Sequence, residues 1–346
     1  MKWLVIVVCL LSFSSHARKS EFFSHTEAAD VFTILDNLSE WFPASKREYR
    51  VAWQKKFGLS DRDIEKLQLY RSFRLRFKQK SPSSETSMFS ELDVPLDIIS
   101  EAFYTSESVD EALRKLSPKL KKDDILFLAE TIKYFKENIK EWYKESIAFK
   151  SKVKLLKKNF SKDKVNRVLK DIAKFLGVKK PNINIHMVWW PSANAPVASF
   201  YGHHVVLHFN PIDHISNLNN SIVIEAAIAG MLRNLPSSSK ESFTKAYFNQ
   251  CQIQKRFTAL SQEQYLERPL ILALSHLNHG NQKLKKKFDV FVKWDQNEMV
   301  NLLARDFFFY YLQARRSKVS FGTEFANGLG SVCQSYVDAF SQAKKP

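Results

Sequence analysis

The spacing of the apolar residues changes once along this chain, and that change limits the folds open to it. Before Gly177 the spacing is helical. Ile125, Leu128, Ile132, Phe135, Ile139 and Trp142 fall in steps of three and four behind Asp123 and Asp124, which predicts one long helix with a single buried stripe. Val165, Leu169, Ile172 and Leu176 repeat the pattern, and Gly177 is placed to cap that helix. Ser60-x-x-Asp63 opens an earlier helix running to about Phe77, and Ser108-x-x-Glu111 opens another, with Ser81–Ser87 as a loop between them. After Gly177 the step is two. Ile183, Ile185, Met187 and Trp189 read as a strand, Pro191–Pro196 as a connection, and Val205–Phe209 as a second strand beyond a turn at Tyr201-Gly202. A polar loop, Asn210–Asn220, leads to an apolar helix, Ser221–Leu235, stopped by Pro236. The remainder reads as helical, with stripes at Met299, Leu302, Asp306, Phe309 and at Phe325, Leu329, Val332, Tyr336, Phe340. The expected class is α+β, helix-dominant, with a helical region over 18–177 and a second region over 178–346 holding a small sheet and a central apolar helix. Only 8 of 346 residues are Gly, too few for Gly-rich phosphate loops or a turn-dense β sandwich.

The first 17 residues read as a signal peptide. Lys2 is followed by eleven mostly apolar residues, Trp3–Phe13, and Ser15-His16-Ala17 supplies small residues at the cleavage site. Eleven residues rise about 16 Å as a helix, too short for a bilayer core of about 30 Å. The expectation is an exported, periplasmic or extracellular protein without a transmembrane segment. Its net charge of +17 falls to +16 once Lys2 is removed. The basic clusters, such as Lys150–Lys158, Lys179-Lys180 and Lys285-Lys286-Lys287, suit either a solvated surface or attraction to anionic envelope components; no nucleic-acid motif accompanies them. Two cysteines remain, Cys251 and Cys333. Export makes a disulfide chemically possible, and two buried thiols are the alternative.

One residue interrupts the most apolar helix. Of the eleven residues Ile222–Leu232, only Glu225 is charged, and a carboxylate there needs a partner, a raised pKa or a chemical role. Arg233, Arg268 and Arg305 are candidate partners. Strand, second strand, polar loop and apolar helix with a central Glu form a layout carried here by Asn184–Trp190, Ser199–Val206 and Ile222–Leu232. That stretch resembles a zincin of the gluzincin type, the HExxH zinc metallopeptidases, over roughly Val178–Leu274. Laid on the family pattern, Ile224 and Ile228 take the two His positions and Glu225 the Glu position. Leu266–Leu274 resembles the downstream helix that carries the third ligand, with Arg268 at that position and Glu267 one residue away. Isoleucine has no lone pair for a metal, and without Zn²⁺ a water is far too weak an acid to yield hydroxide near neutral pH. The resemblance therefore implies a pseudopeptidase with Glu225 as a vestige, no cofactor, and a binding or structural role in the envelope. A peptide would pair along the strand Val205–Phe209.

The alternatives are an active metal-dependent hydrolase using Glu225 as general base, with zinc on non-standard ligands, and a basic envelope-surface binding protein. His203, His208 and His214 are the candidate ligands for the hydrolase. As neighbours on a strand, His203 and His204 would face opposite ways, and His204 and His208 would lie about 13 Å apart on one face. There is no GxSxG or CxxC motif.

Overall fold

Helical spacing in the sequence becomes helix in the computed structural model, which describes residues 23–42, 45–77, 97–162, 165–179, 183–191, 197–210, 220–252, 263–275 and 297–343. The signal segment 1–17, the loop 81–87, His214 and Lys285–Lys287 lie outside these residues. The first half carries α1 (Glu27–Ser39), α2 (Arg47–Phe57), α3 (Asp61–Arg76), α4 (Ile98–Tyr104), α5 (Val109–Leu116), α6 (Lys122–Lys162) and α7 (Val165–Phe175). Ser60 caps α3 in a full capping box with Asp63, and the Ser108 hydroxyl accepts from the Glu111 N–H at the start of α5. Such caps contribute about 1 kcal/mol each. The stripe on α6 buries Leu128, Ile132, Phe135, Ile139 and Trp142. At the end of α7, Gly177 has φ 74°, and its N–H and that of Val178 bond back to Lys174 and Ala173. This left-handed cap stops the helix where the spacing changes.

The sheet has the order β1-β2-β4-β3, with β1 (Phe23–Ser24), β2 (Asn184–Trp189), β3 (Val197–Tyr201) and β4 (His204–Phe209). β1 and β4 run parallel to β2, and β3 runs antiparallel to β4. The pairings His186↔Val206 and Ser199↔Val206 put His186, His204, His208, Ser199 and Tyr201 on one face. Tyr49 of α2 and Tyr104 of α4 meet that face, where Tyr104 lies 5.0 Å from the His186 ring and Tyr49 lies 5.8 Å from His208. The other face is apolar. Trp189 stacks on Trp142 of α6 at 4.2 Å, and α8 (Asn220–Arg233) lies against Val205 through Gly230. β4 is bonded on both edges, so the expected peptide-pairing edge at Val205–Phe209 is already filled by β2 and β3. β3 is one of the two outer strands of the sheet, β1 being the other.

Beyond the sheet come α8, α9 (Ser237–Gln250), a π-helical turn (Glu263–Glu267), α10 (Arg268–Ser275), α11 (Glu298–Arg316) and α12 (Thr323–Ala343). A disulfide joins Cys251, at the end of α9, to Cys333 in α12, with their Cα atoms 5.5 Å apart. Beside it Gly330 lets α12 approach α9, since a Cβ there would lie 2.5 Å from the Tyr247 carbonyl oxygen. The expected stripe on α11 is out of register. Val300, Leu303, Ala304, Phe307, Phe308 and Tyr311 are buried, whereas Phe309 is exposed. On α12 Phe325 and Leu329 are buried as expected, and the stripe continues at Cys333 and Val337 rather than Val332 and Tyr336. The buried core is continuous from α1 to α12. No described helix is long and apolar enough to cross a membrane.

Inside the first half, three helices meet on a buried cation. The Arg74 guanidinium on α3 donates to Asp36 of α1 at 3.0 Å and to Asp97, the cap of α4, also at 3.0 Å. Tyr70 donates to Asp36 at 2.7 Å, and Arg74 lies 4.4 Å over Trp41. Burial raises the Asp36 pKa, and Arg74 offsets part of that rise. Burial disfavours the Arg74 charge, but Asp36 and Asp97 outweigh it and hold the group protonated.

Candidate functional site

Glu225 lies mid-way along α8, which Gly230 seats against Val205 and Ile183; a Cβ at Gly230 would meet those side chains at 3.0 and 3.1 Å. Ile224 and Ile228 are buried, as apolar residues four apart on a helix facing a core must be. Glu225 is partly exposed. Its Oε2 accepts from Nη1 of Arg268 at 2.8 Å, so the residues assigned from sequence to the Glu and third-ligand positions are in contact. Arg268 is thus a partner of Glu225, as the lone charge in that apolar run requires. Glu267 pairs with Arg233 at 2.7 Å, and Arg233 lies 3.8 Å over the Phe200 ring of β3. Two ion pairs therefore join α8 to the start of α10. The Glu225–Arg268 side chains keep 21% and 37% exposure, so water screens the pair and it is not the fully buried ion pair whose loss costs about 3–5 kcal/mol.

The histidines arrange themselves differently from the expectation. His203 is in the β3–β4 turn rather than on a strand, so strand alternation does not separate it from His204. The two rings lie 4.1 Å apart. Both approach Glu101 of α4: His204 Nε2 at 2.7 Å and His203 Nε2 at 3.7 Å from Oε2. Behind them, His204 Nδ1 meets His186 Nε2 at 2.9 Å, and His186 Nδ1 meets the Ser24 hydroxyl at 2.9 Å. With Glu101 ionised and the rings neutral, the donors are fixed. The carboxylate only accepts, so His204 Nε2–H donates to Glu101, His186 Nε2–H donates to His204, and Ser24 donates to His186. The hydrogen bond from His204 holds the Glu101 pKa below the usual carboxylate value, against the effect of burial. Burial pushes His186 well below the ordinary imidazole value, and lowers His203 as well.

His208 does not join this group. It is fully buried, with Nδ1 2.9 Å from the Tyr49 hydroxyl and Nε2 2.9 Å from the Ser199 hydroxyl. Tyr49 donates to the Trp189 carbonyl, so His208 Nδ1–H donates to Tyr49 and Nε2 accepts from Ser199. Burial lowers its pKa to about 3. Those bonds occupy both ring nitrogens of His208. The sequence reading missed Glu101, which lies a hundred residues upstream with no local motif. His186 did carry a signal, a polar residue in the alternating run Ile183–Trp189.

Glu225 is remote from the histidine group. Asn234, just past the end of α8, donates to the Gly202 carbonyl beside His203 at 2.9 Å, and Glu225 lies nine residues, ~13 Å along the helix axis, before it. A cavity of about 590 Å³ opens near this end of α8, lined by Asn234, Leu235, Ser242, Phe243 and Phe321 among others, and neither Glu225 nor a histidine borders it. Comparison with family models, with characterised proteins and with solved structures finds no match to this chain.

Proposed function

We propose that this chain is an exported, non-catalytic protein built on a zincin-like scaffold, with a binding role in the cell envelope. The observation that carries the reading is the Arg268–Glu225 pair. A guanidinium from the position of the third ligand bonds the carboxylate that would otherwise act on a metal-bound water. The surrounding layout supports it: an outer antiparallel strand, a central strand, then an apolar helix packed beneath with Ile224 and Ile228 buried. Ile224 and Ile228 offer no ligand atom, and Arg268 offers a positive charge where a metal ligand would need a lone pair.

The binding surface in this reading is the outer edge of β3, not β4. Val197–Phe200 are partly exposed there, so an extended peptide has backbone groups to pair with. The test uses the purified protein with an unstructured protein substrate and with extended peptides. The expected result is no cleavage, with or without added zinc, and slower amide exchange over 197–201 on peptide binding while β4 is unchanged. Cleavage lost in Glu225→Gln would overturn the reading. Lys154 and Lys158, exposed on α6, favour a second reading, docking of the basic surface on an anionic envelope. Salt-sensitive retention on anionic vesicles, without protection of β3, would select it.

A further inference from the structure

We propose that Glu101, His203 and His204 form a binding site for a divalent transition ion of the zinc class, separate from the Glu225 helix. One carboxylate oxygen and two imidazole nitrogens converge here, with all three ligand atoms within 4.8 Å of one another. A tetrahedral zinc with bonds of about 2.0–2.2 Å sets its donors about 3.3–3.6 Å apart. The Glu101–His203 separation of 3.7 Å is already close to that, and the Glu101–His204 contact of 2.7 Å must open by somewhat under 1 Å. Two imidazoles with one carboxylate select against Mg²⁺ and Ca²⁺, which prefer oxygen ligands throughout.

The elements bring unequal freedom to the site. His204 is fully buried on β4 and fixed from behind by His186, whereas His203 and Glu101 keep 24% and 35% exposure. One ligand is therefore held in place, and two are able to adjust. An ion needs the lone pair on His204 Nε2, the nitrogen whose proton is donated to Glu101. The hydrogen-bonded chain behind it permits the exchange. His204 takes the other tautomer and donates Nδ1–H to His186 Nε2; His186 in turn donates Nδ1–H to the Ser24 oxygen. Each ring keeps one proton, and the serine hydroxyl changes from donor to acceptor. Metal-bound histidines usually donate their second ring N–H to an outer partner, and His186 is that partner here.

The site goes beyond the proposed function and does not depend on it. It would tie α4 to the β3–β4 turn, joining the first half of the chain to the sheet, and the bound ion would stabilise the fold by mass action. The experiment strips the purified full-length protein with a chelator and titrates it with Zn²⁺, following bound metal by elemental analysis and stability by thermal melts. Co²⁺ serves as the spectroscopic probe of tetrahedral coordination. The expected result is one equivalent of Zn²⁺ retained through dialysis and a melting temperature that rises with metal. His203→Ala and Glu101→Gln should each weaken binding at least ~100-fold, beyond the ~10–100-fold typical of losing an outer hydrogen-bond partner. Both residues are partly exposed, and circular dichroism checks that the variants fold. Glu225→Gln should leave the affinity unchanged. A folded protein that retains no Zn²⁺, or an equivalent that survives both ligand substitutions, would overturn the proposal.

Discussion

Arg268 Nη1 donates to Glu225 Oε2 at 2.8 Å, joining the start of α10 to the middle of α8. The contact spans 43 residues of sequence and gives the lone carboxylate of an apolar helix its counter-charge. Because both side chains are partly exposed, the coupling should be modest. A double-mutant cycle with Glu225→Ala and Arg268→Ala is expected to give a coupling energy of about 0.5–1 kcal/mol in urea unfolding. Zero coupling would mean that the pair does not hold the two helices together.

Arg74 makes the opposite forecast, because it is fully buried between Asp36 and Asp97. Arg74→Ala leaves two carboxylates without their cation inside the fold and should cost about 3–5 kcal/mol. Arg74→Lys should recover little of that, since an ammonium cannot reproduce the forked contact to both acids or the stacking over Trp41. Denaturant unfolding of both variants measures the difference. A loss below about 1 kcal/mol in Arg74→Ala would contradict the buried-cation account.

The histidine-lined face of the sheet makes stability depend on pH. His208 is held down to about 3 by burial, and burial also holds His186 well below its ordinary value of 6.5. Below pH 6.5 the unfolded chain takes up protons that the folded chain excludes. The contribution of each ring is therefore present above that pH and lost as pH falls toward the folded value. Between pH 6.5 and 5 the loss from His208 should be about 1.6 kcal/mol, and His186 adds to it in the same direction. Unfolding curves at the two pH values should show that drop, and His208→Gln should make it shallower. A pH dependence identical in His208→Gln would assign the effect to other groups.

The parts of the fold legible in the sequence were those in which a single pattern dominated. The stripe on α6 and the Gly177 cap were readable because one helix face alone is apolar and one residue alone tolerates the left-handed turn. The stripe on α11 was misplaced by one residue because Phe307, Phe308 and Phe309 make that helix apolar nearly all round, which leaves the period ambiguous. Strand β3 was missed because Val197–Phe200 are only partly buried and show no clear alternation. That Glu225 needs a partner was readable because it is the one charge among Ile222–Leu232, but the choice of Arg268 over Arg233 and Arg305 was not, since it depends on how α10 packs against α8. The meeting of Glu101 with His203 and His204 was not readable. It depends on where α4 packs, and on His203 occupying a turn in which strand alternation does not hold.

The central claim is that α8 and α10 hold the positions of an HExxH site with the ligands replaced. It is tested most directly by putting the ligands back. Ile224→His, Ile228→His and Arg268→Glu are combined in a His203→Ala background, so that metal at Glu101 does not contribute, and circular dichroism confirms the fold. The account predicts that this variant binds one equivalent of Zn²⁺ and melts at a higher temperature with metal than without, while the His203→Ala parent does neither. A folded variant with all three ligands restored that binds no zinc would show that these residues do not share a site, and would contradict the account.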